Sequence, residues 1–117
     1  MNDLITYSEL QPYFNNEDFV IKTQQQIAKD FAKFNLYFPE NFENVALSKE
    51  QIESLIAENI ADLMKEGETR LLQLLYTIDL SEKQFLALTT QADFLIELSK
   101  KVLFREAYKV FLRSKFS

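Results

Sequence analysis

The sequence predicts an all-α fold, a compact helical bundle of three substantial helices plus short helical segments, in a single domain over residues 1–117. The 117 residues include only one glycine and two prolines, although hairpins and tight turns consume both types. Hydrophobic residues make up 47% of the chain and charged residues 26%, which is the balance of a globular protein. Apolar residues also recur at three- and four-residue steps, the spacing of one helix face.

The first part of the chain predicts a lead-in and one substantial helix. Residues 1–15 form the lead-in, where Pro12 limits any helix to a short turn. A helix follows over about 17–36, and Asn16 is its expected N-cap. Pro39 disfavours helical backbone in the residue before it and begins the connection. The apolar stripe of this helix is Val20, Thr23, Ile27, Phe31, Phe34 and Phe38.

The middle of the chain predicts one long helix over about 49–78. Ser48 and Gln51 have the spacing of a capping box, in which each side chain bonds the other residue's backbone amide. Glycine inside a helix costs about 1 kcal/mol relative to alanine, so a rival interpretation breaks the helix at Gly67 and makes a helical hairpin. The apolar face nevertheless keeps its phase through Ile52, Ile56, Ile60, Leu63, Met64, Leu71, Leu74, Leu75 and Ile78.

Two further helices are predicted over about 82–89 and 91–115. Ser81 and Gln84 repeat the capping-box spacing at the start of the first. The last helix has Asp93 in its first turn and three cations in its last turns. Negative charge near the N-terminus of a helix and positive charge near its C-terminus both interact favourably with the helix dipole. Those cations are Lys109, Arg113 and Lys115.

The stretch from Leu71 to Glu82, LLQLLYTIDLSE, followed by a basic and aromatic C-terminal helix, resembles small uncharacterised helical proteins found in bacteria. The resemblance covers about the second half of the chain. It implies an all-helical, intracellular protein and carries no known activity.

Cysteine and histidine are both absent from the sequence. Without them the chain has no disulfide, no thiolate metal site, no Ser-His-Asp or Cys-His mechanism and none of the usual zinc or di-iron helix motifs. Glu58 and Asp62 lie one turn apart on the predicted helix, where a solvated face explains them better than a metal site. We therefore expect a protein that is not an enzyme, with no catalytic residue, metal or cofactor.

The first residues, MNDLITYSELQPYF, include no basic segment followed by an apolar run. No stretch of the chain approaches the roughly 20 apolar residues of a membrane span. We therefore expect a cytoplasmic chain without a membrane span.

Charge is distributed unevenly along the chain. Residues 1–99 contain 7 Lys/Arg and 17 Asp/Glu, whereas residues 100–117 contain 6 and 1. The last helix carries a basic row at four-residue steps, and the predicted helix 49–78 carries an acidic row of the same spacing, so the two rows could face each other within one chain or between two copies. The basic row is Lys101, Arg105, Lys109 and Arg113, and the acidic row is Glu50, Ser54, Glu58, Asp62 and Glu66.

The last helix is apolar on two faces, which indicates burial on both. A second copy could cover one face, or the helix could lie at the centre of the bundle between helices 17–36 and 49–78. We favour a non-enzymatic protein-interaction or regulatory module that binds a protein partner or itself, as a homodimer, through this helix. An accessory nucleic-acid-binding role for the basic row is the weaker hypothesis, because the chain is acidic overall. The predicted contact surface is Lys101, Phe104, Arg105, Tyr108, Lys109, Phe111, Leu112 and Arg113.

Overall fold

The computed structural model describes residues 6–116, and within them it has helices and no strand. The all-helical prediction is therefore confirmed. The three longest helices have 16, 16 and 23 residues, and they are α2, α3 and α6 in the order that follows. The elements are α1 (Tyr7–Leu10), a 3₁₀ segment (Gln11–Asn15), α2 (Glu17–Ala32), α3 (Lys49–Met64), α4 (Glu68–Thr77), α5 (Glu82–Leu88) and α6 (Phe94–Phe116).

The beginnings of three helices follow the local capping signals in the sequence. Asn16 accepts a hydrogen bond of 3.0 Å from the backbone N–H of Phe19 at the start of α2. Ser48 forms a reciprocal capping box with its partner three residues on, and Ser81 does the same at α5. These bonds satisfy amides that have no acceptor inside the helix, so the predicted starts are confirmed.

The predicted end of the first substantial helix is wrong, because α2 ends at Ala32 rather than near residue 36. Asn35 adopts a left-handed backbone with φ of 61°. The N–H of Leu36 then donates to the carbonyl of Phe31 over 3.2 Å. This is the Schellman arrangement, which closes a helix through one left-handed residue, and Asn tolerates that conformation better than most residues.

The single helix predicted over 49–78 is also wrong, because the structure has two helices, α3 and α4, separated at Gly67. Gly67 has φ of 121° and ψ of 159°, a backbone region that is essentially closed to residues with a Cβ. The rival interpretation, a break at this glycine, is the one that the structure shows. Helix α4 ends at Thr77, two residues before Asp79, which has φ of 71°.

Helix α6 lies at the centre of the bundle and packs against α1, α2, α3 and α5. It begins at Phe94, three residues after the predicted start. Its two apolar faces are therefore covered largely within the chain, as the central-helix alternative required. The fully buried core includes Ile27, Phe31, Ile52, Ile56, Ile60, Leu63, Leu74, Leu98 and Val102.

Candidate functional site

The basic row on α6 is mostly bonded within the chain. Arg105 Nη2 lies 3.1 Å from Asp79 Oδ2, and Arg113 Nη1 donates to Gln26 Oε1 over 2.9 Å. Lys101 is exposed. Because these partners come from α2 and the end of α4, the intramolecular pairing of the basic row with the acidic row of α3 is wrong.

The fourth cation of the row, Lys109, belongs to a buried ionic cluster. Its Nζ lies 2.8 Å from Asp30 Oδ2, 3.1 Å from the carbonyl oxygen of Thr77 and 3.5 Å from Glu106 Oε1. Asp30 and Glu106 are 2% and 0% exposed, so Lys109 faces two buried carboxyls, and the Nζ of the more exposed Lys33 lies 3.6 Å from Asp30 Oδ1. We call Asp30, Glu106 and Lys109 the buried cluster.

The two carboxyls of the buried cluster differ in protonation. Burial, and after it the neighbouring Asp30, raise the pKa of Glu106 to about 9, although Lys109 opposes the shift. Burial also acts to raise the pKa of Asp30, but hydrogen bonds to Glu106, Lys109 and Gln26 outweigh it and leave that pKa below its usual 3.8. At neutral pH the cluster therefore holds a neutral Glu106 and an ionised Asp30.

The protonated state also gives Glu106 a hydrogen-bonding role. Within the described residues neither of its carboxyl oxygens accepts a hydrogen bond. A protonated carboxyl can instead donate to the Asp30 carboxylate, which already accepts from Lys109 and from Gln26 Nε2 at 3.1 Å. The cluster therefore fixes the register of α2 against α6.

Sequence reasoning missed Asp30 and Glu106 as buried residues. The burial of Glu106 could have been predicted, because the residues four and eight positions before it and four positions after it are all apolar. These residues are Leu98, Val102 and Val110, all of which are buried.

The aromatic residues of the predicted contact surface are only partly at the surface. Tyr108 is buried, and its ring stacks with Phe104 at 6.0 Å and with Phe111 at 6.4 Å between centroids. Phe104, Phe111 and Leu112 are half-buried. The structure therefore places Tyr108 in the core and the other three at its edge.

Tyr13 of the 3₁₀ segment extends this edge outwards. The centroid of its ring lies 5.3 Å from that of Phe111, in an edge-on arrangement, and 5.4 Å from that of Phe19 in α2. Tyr13 is nevertheless 41% exposed. We call Tyr13 and Phe111 the aromatic patch, and it joins the 3₁₀ segment to the end of α6.

Opposite charges flank the aromatic patch. Glu17 and Asp18 are exposed in the first turn of α2, next to Phe19 in the chain. Arg113 and Lys115 are exposed in the last turn of α6. The patch thus has acidic residues on its α2 side, where Asp18 Oδ2 also lies 3.2 Å from Lys22 Nζ, and basic residues on its α6 side.

A second surface feature is a groove between α3 and the connection that precedes it. Its cavity volume is 440 Å³. Phe42 forms a buried part of its wall, whereas Val45 remains 50% exposed. We call it the connection groove, and its lining residues are Pro39, Asn41, Phe42, Val45, Leu47, Gln51, Ser54 and Leu55.

One buried glutamine of α2 holds the wall of the connection groove in place. The side-chain Nε2 of Gln24 donates to the carbonyls of Phe42 and Val45, and its Oε1 accepts from the N–H of Leu47 at 2.8 Å. Gln24 is fully buried, and stacking of Phe38 on Phe42 at 4.3 Å adds to the wall. The sequence analysis assigned no role to Gln24.

No family model, curated protein or solved structure matches the chain. The resemblance to small helical proteins of bacteria therefore stays a prediction. Between residues 6 and 116, no group of three or more acidic side chains is placed to hold a metal ion. Across the same range no helix has the length and apolar content needed to cross a membrane.

Proposed function

We propose that this chain is a non-enzymatic protein-interaction module that self-associates as a homodimer through its C-terminal helix. The observation that carries the proposal is the aromatic patch, where Tyr13 and Phe111 meet at the surface. Aromatic side chains combine large contact area with few rotatable bonds, and they are enriched in protein interfaces. The patch replaces the broader surface predicted from the sequence, because Tyr108 lies in the core.

The charges beside the aromatic patch favour a second copy as the occupant. In a two-fold symmetric interface the same patch meets itself, so each acidic side can lie against the partner's basic side. Glu17 and Asp18 supply the acidic side, and Arg113 and Lys115 supply the basic side. This self-complementarity supports a closed dimer and fixes its orientation.

The nucleic-acid alternative has less support. A phosphate backbone is bound by several free cations, each of which releases counterions. Arg105, Lys109 and Arg113 have bonding partners within the chain, and among the described residues Lys101 is the member of the basic row without such a partner. The protein-interaction proposal rests on the aromatic patch and uses only Arg113 of this row, which is exposed.

The test is the solution mass of the wild type and of Tyr13→Glu, measured by light scattering after chromatography. Tyr13 is at the surface of the patch, so a glutamate there places an unpaired charge in the interface. We expect the wild type to have the mass of two chains, twice 13.8 kDa, and the variant to have the mass of one chain.

Tyr76→Glu is the matched control, because Tyr76 is an 84% exposed tyrosine on α4 outside the patch. It should leave the dimer intact. Circular dichroism of both variants checks that the helices remain folded, since Tyr13 also touches Phe19. A dimer that persists in folded Tyr13→Glu would overturn the assignment of the patch, and a wild type with the mass of one chain would overturn self-association.

A further inference from the structure

We infer that the connection groove is a docking site for a basic amphipathic helix of another protein. The groove lies between α3 and residues 33–48, and the aromatic patch involves the 3₁₀ segment and the end of α6. This site is therefore separate from the proposed dimer interface. The inference consequently goes beyond the proposed self-association and does not depend on it.

The groove offers apolar surface in a confined space. Its 440 Å³ is within the range of about 300 to 1,000 Å³ that is typical of ligand pockets in proteins. Leu47 and Leu55 are half-buried along it, and Val45 is left 50% exposed. A groove of this size accepts a few apolar side chains from a partner rather than a whole helix.

The groove is held open before any partner binds. Residues 33–48 connect α2 to α3 without a regular helix or strand, and this connection exceeds the roughly 12 to 15 residues beyond which structureless loops are usually functional or disordered. Its backbone is nevertheless bonded to Gln24, and Gln25 Nε2 adds a 3.0 Å bond to the carbonyl of Glu43. A pre-organised wall lowers the entropy that binding must remove.

Acidic side chains flank the groove on both walls. On the connection, Glu40 and Glu43 are exposed and adjoin lining residues in the chain. On α3, Glu50 and Glu58 are exposed one turn before and one turn after the lining residue Ser54. In the described residues, none of these four glutamates takes part in an ion pair between side chains.

The single cation of this region is directed elsewhere. Residues 39–62 contain six acidic residues and one lysine, Lys49. Lys49 Nζ donates to Gln11 Oε1 over 2.7 Å and lies 5.7 Å from the ring centroid of Phe14. Lys49 supplies one positive charge against six negative ones in this range, so the rims of the groove remain acidic.

The arrangement of charge identifies the chemistry of the partner. An apolar floor with acids on both sides is complementary to an apolar stripe with Lys or Arg on both sides, which is the pattern of a basic amphipathic helix. The apolar stripe gives contact area, and the flanking cations give orientation and a faster encounter.

The experiment uses a designed helical peptide as the probe. It has about 18 residues, enough to be helical on its own, with a leucine stripe flanked by lysines. A second peptide has the same composition with the leucines distributed around the helix. Fluorescence anisotropy of each labelled peptide is measured against the full chain at low salt, where rim charges are least screened.

Two pairs of variants separate the groove from the general acidity of the protein. Val45→Asp is compared with Leu86→Asp, because both residues are 50% exposed and only Val45 lines the groove. The second pair consists of double variants. Glu50→Lys and Glu58→Lys together reverse charge at the groove, and the control, Glu82→Lys and Asp93→Lys together, changes the net charge by the same amount elsewhere.

We expect the striped peptide to bind the wild type, and the two groove variants to weaken its affinity by about tenfold or more, equivalent to roughly 1.4 kcal/mol. The two control variants should change the affinity by less than about threefold, since their sites do not touch the peptide. The distributed peptide should bind more weakly than the striped one.

Three results would overturn the inference. One is the absence of binding by the striped peptide. Another is an equal loss of affinity in the groove and control variants, which would mean attraction to the acidic protein as a whole. The third is equal binding of the striped and distributed peptides, because the groove would then not recognise an apolar stripe.

Discussion

Replacing Glu106 by glutamine should change how the stability of the fold depends on pH. Glutamine has nearly the same shape as the protonated glutamic acid, and its amide can still donate a hydrogen bond to Asp30. It cannot ionise. The substitution therefore keeps the packing of a fully buried residue and removes only the titration.

The magnitude follows from the position of the carboxyl in the core. Burial raises the pKa of Glu106 from 4.5 to about 9 in the folded chain. Above pH 4.5 the unfolded chain releases a proton that the folded chain keeps, so the free energy of unfolding falls as pH rises. At about 1.4 kcal/mol per pH unit, the contribution lost between about pH 5 and pH 8 is about 4 kcal/mol.

The assay is urea unfolding of the wild type and Glu106→Gln at several pH values in that window. The stability of the wild type should decline towards pH 8, whereas the variant should lack this decline and become the more stable protein. Asp30 does not interfere, because its pKa is held below 3.8 and its stabilisation is lost only as pH falls through more acidic values.

Glu58→Gln is the control, since Glu58 is an exposed glutamate on α3 outside the buried cluster. Its unfolding free energy should follow the wild type at every pH. Parallel curves for the wild type and Glu106→Gln would refute the reasoning, because they would mean that the folded chain does not retain a proton on Glu106.

The remaining predictions concern the ionic partner of the cluster and the break between α3 and α4. Lys109→Met keeps the length of the side chain but removes the 2.8 Å cation from the buried Asp30 carboxylate, where Lys33 remains at 3.6 Å, so urea unfolding at neutral pH should show a loss near the lower end of about 3 to 5 kcal/mol. Gly67→Ala meets no atom within 4 Å of the added Cβ, but its φ of 121° is strained for alanine. Thermal unfolding should show a loss of about 1 to 3 kcal/mol, and unchanged stability would contradict the role of this backbone conformation.

The beginnings of α2, α3 and α5 were predictable because their signals are local. A serine and a glutamine three residues apart carry all the atoms of a capping box, and both boxes formed where the sequence indicated them. The end of α2 was harder to predict. Helix α2 ends at Ala32, before the predicted end near residue 36, because Asn35 adopts left-handed backbone without being a glycine. The end of α4 at Thr77 lies one residue from the predicted end at 78.

The periodicity of buried residues concealed the break at Gly67. Apolar spacing reports which side of a segment is buried, and the buried residues of α3 and α4 follow one phase on either side of the glycine. A continuous stripe therefore did not require a continuous helix. The helix is interrupted because Gly67, the one glycine in the chain, has a positive φ.

The candidate sites depend on contacts between distant parts of the chain. The buried cluster joins Asp30 to Lys109, and single-sequence reasoning placed that lysine on an exposed basic row. The connection groove depends on Gln24, whose partners are 18 to 23 residues further along. A connection without periodicity gives no sequence signal for such bonds.

Sedimentation equilibrium of the wild type over a range of concentrations tests the central proposal most directly. We expect the mass to rise from one to two times 13.8 kDa with concentration and to go no higher, because a two-fold interface closes. Raising the salt from about 0.1 M to about 0.5 M should weaken the dimer only modestly, since aromatic contacts dominate over exposed charges. A mass of one chain at every concentration would contradict self-association.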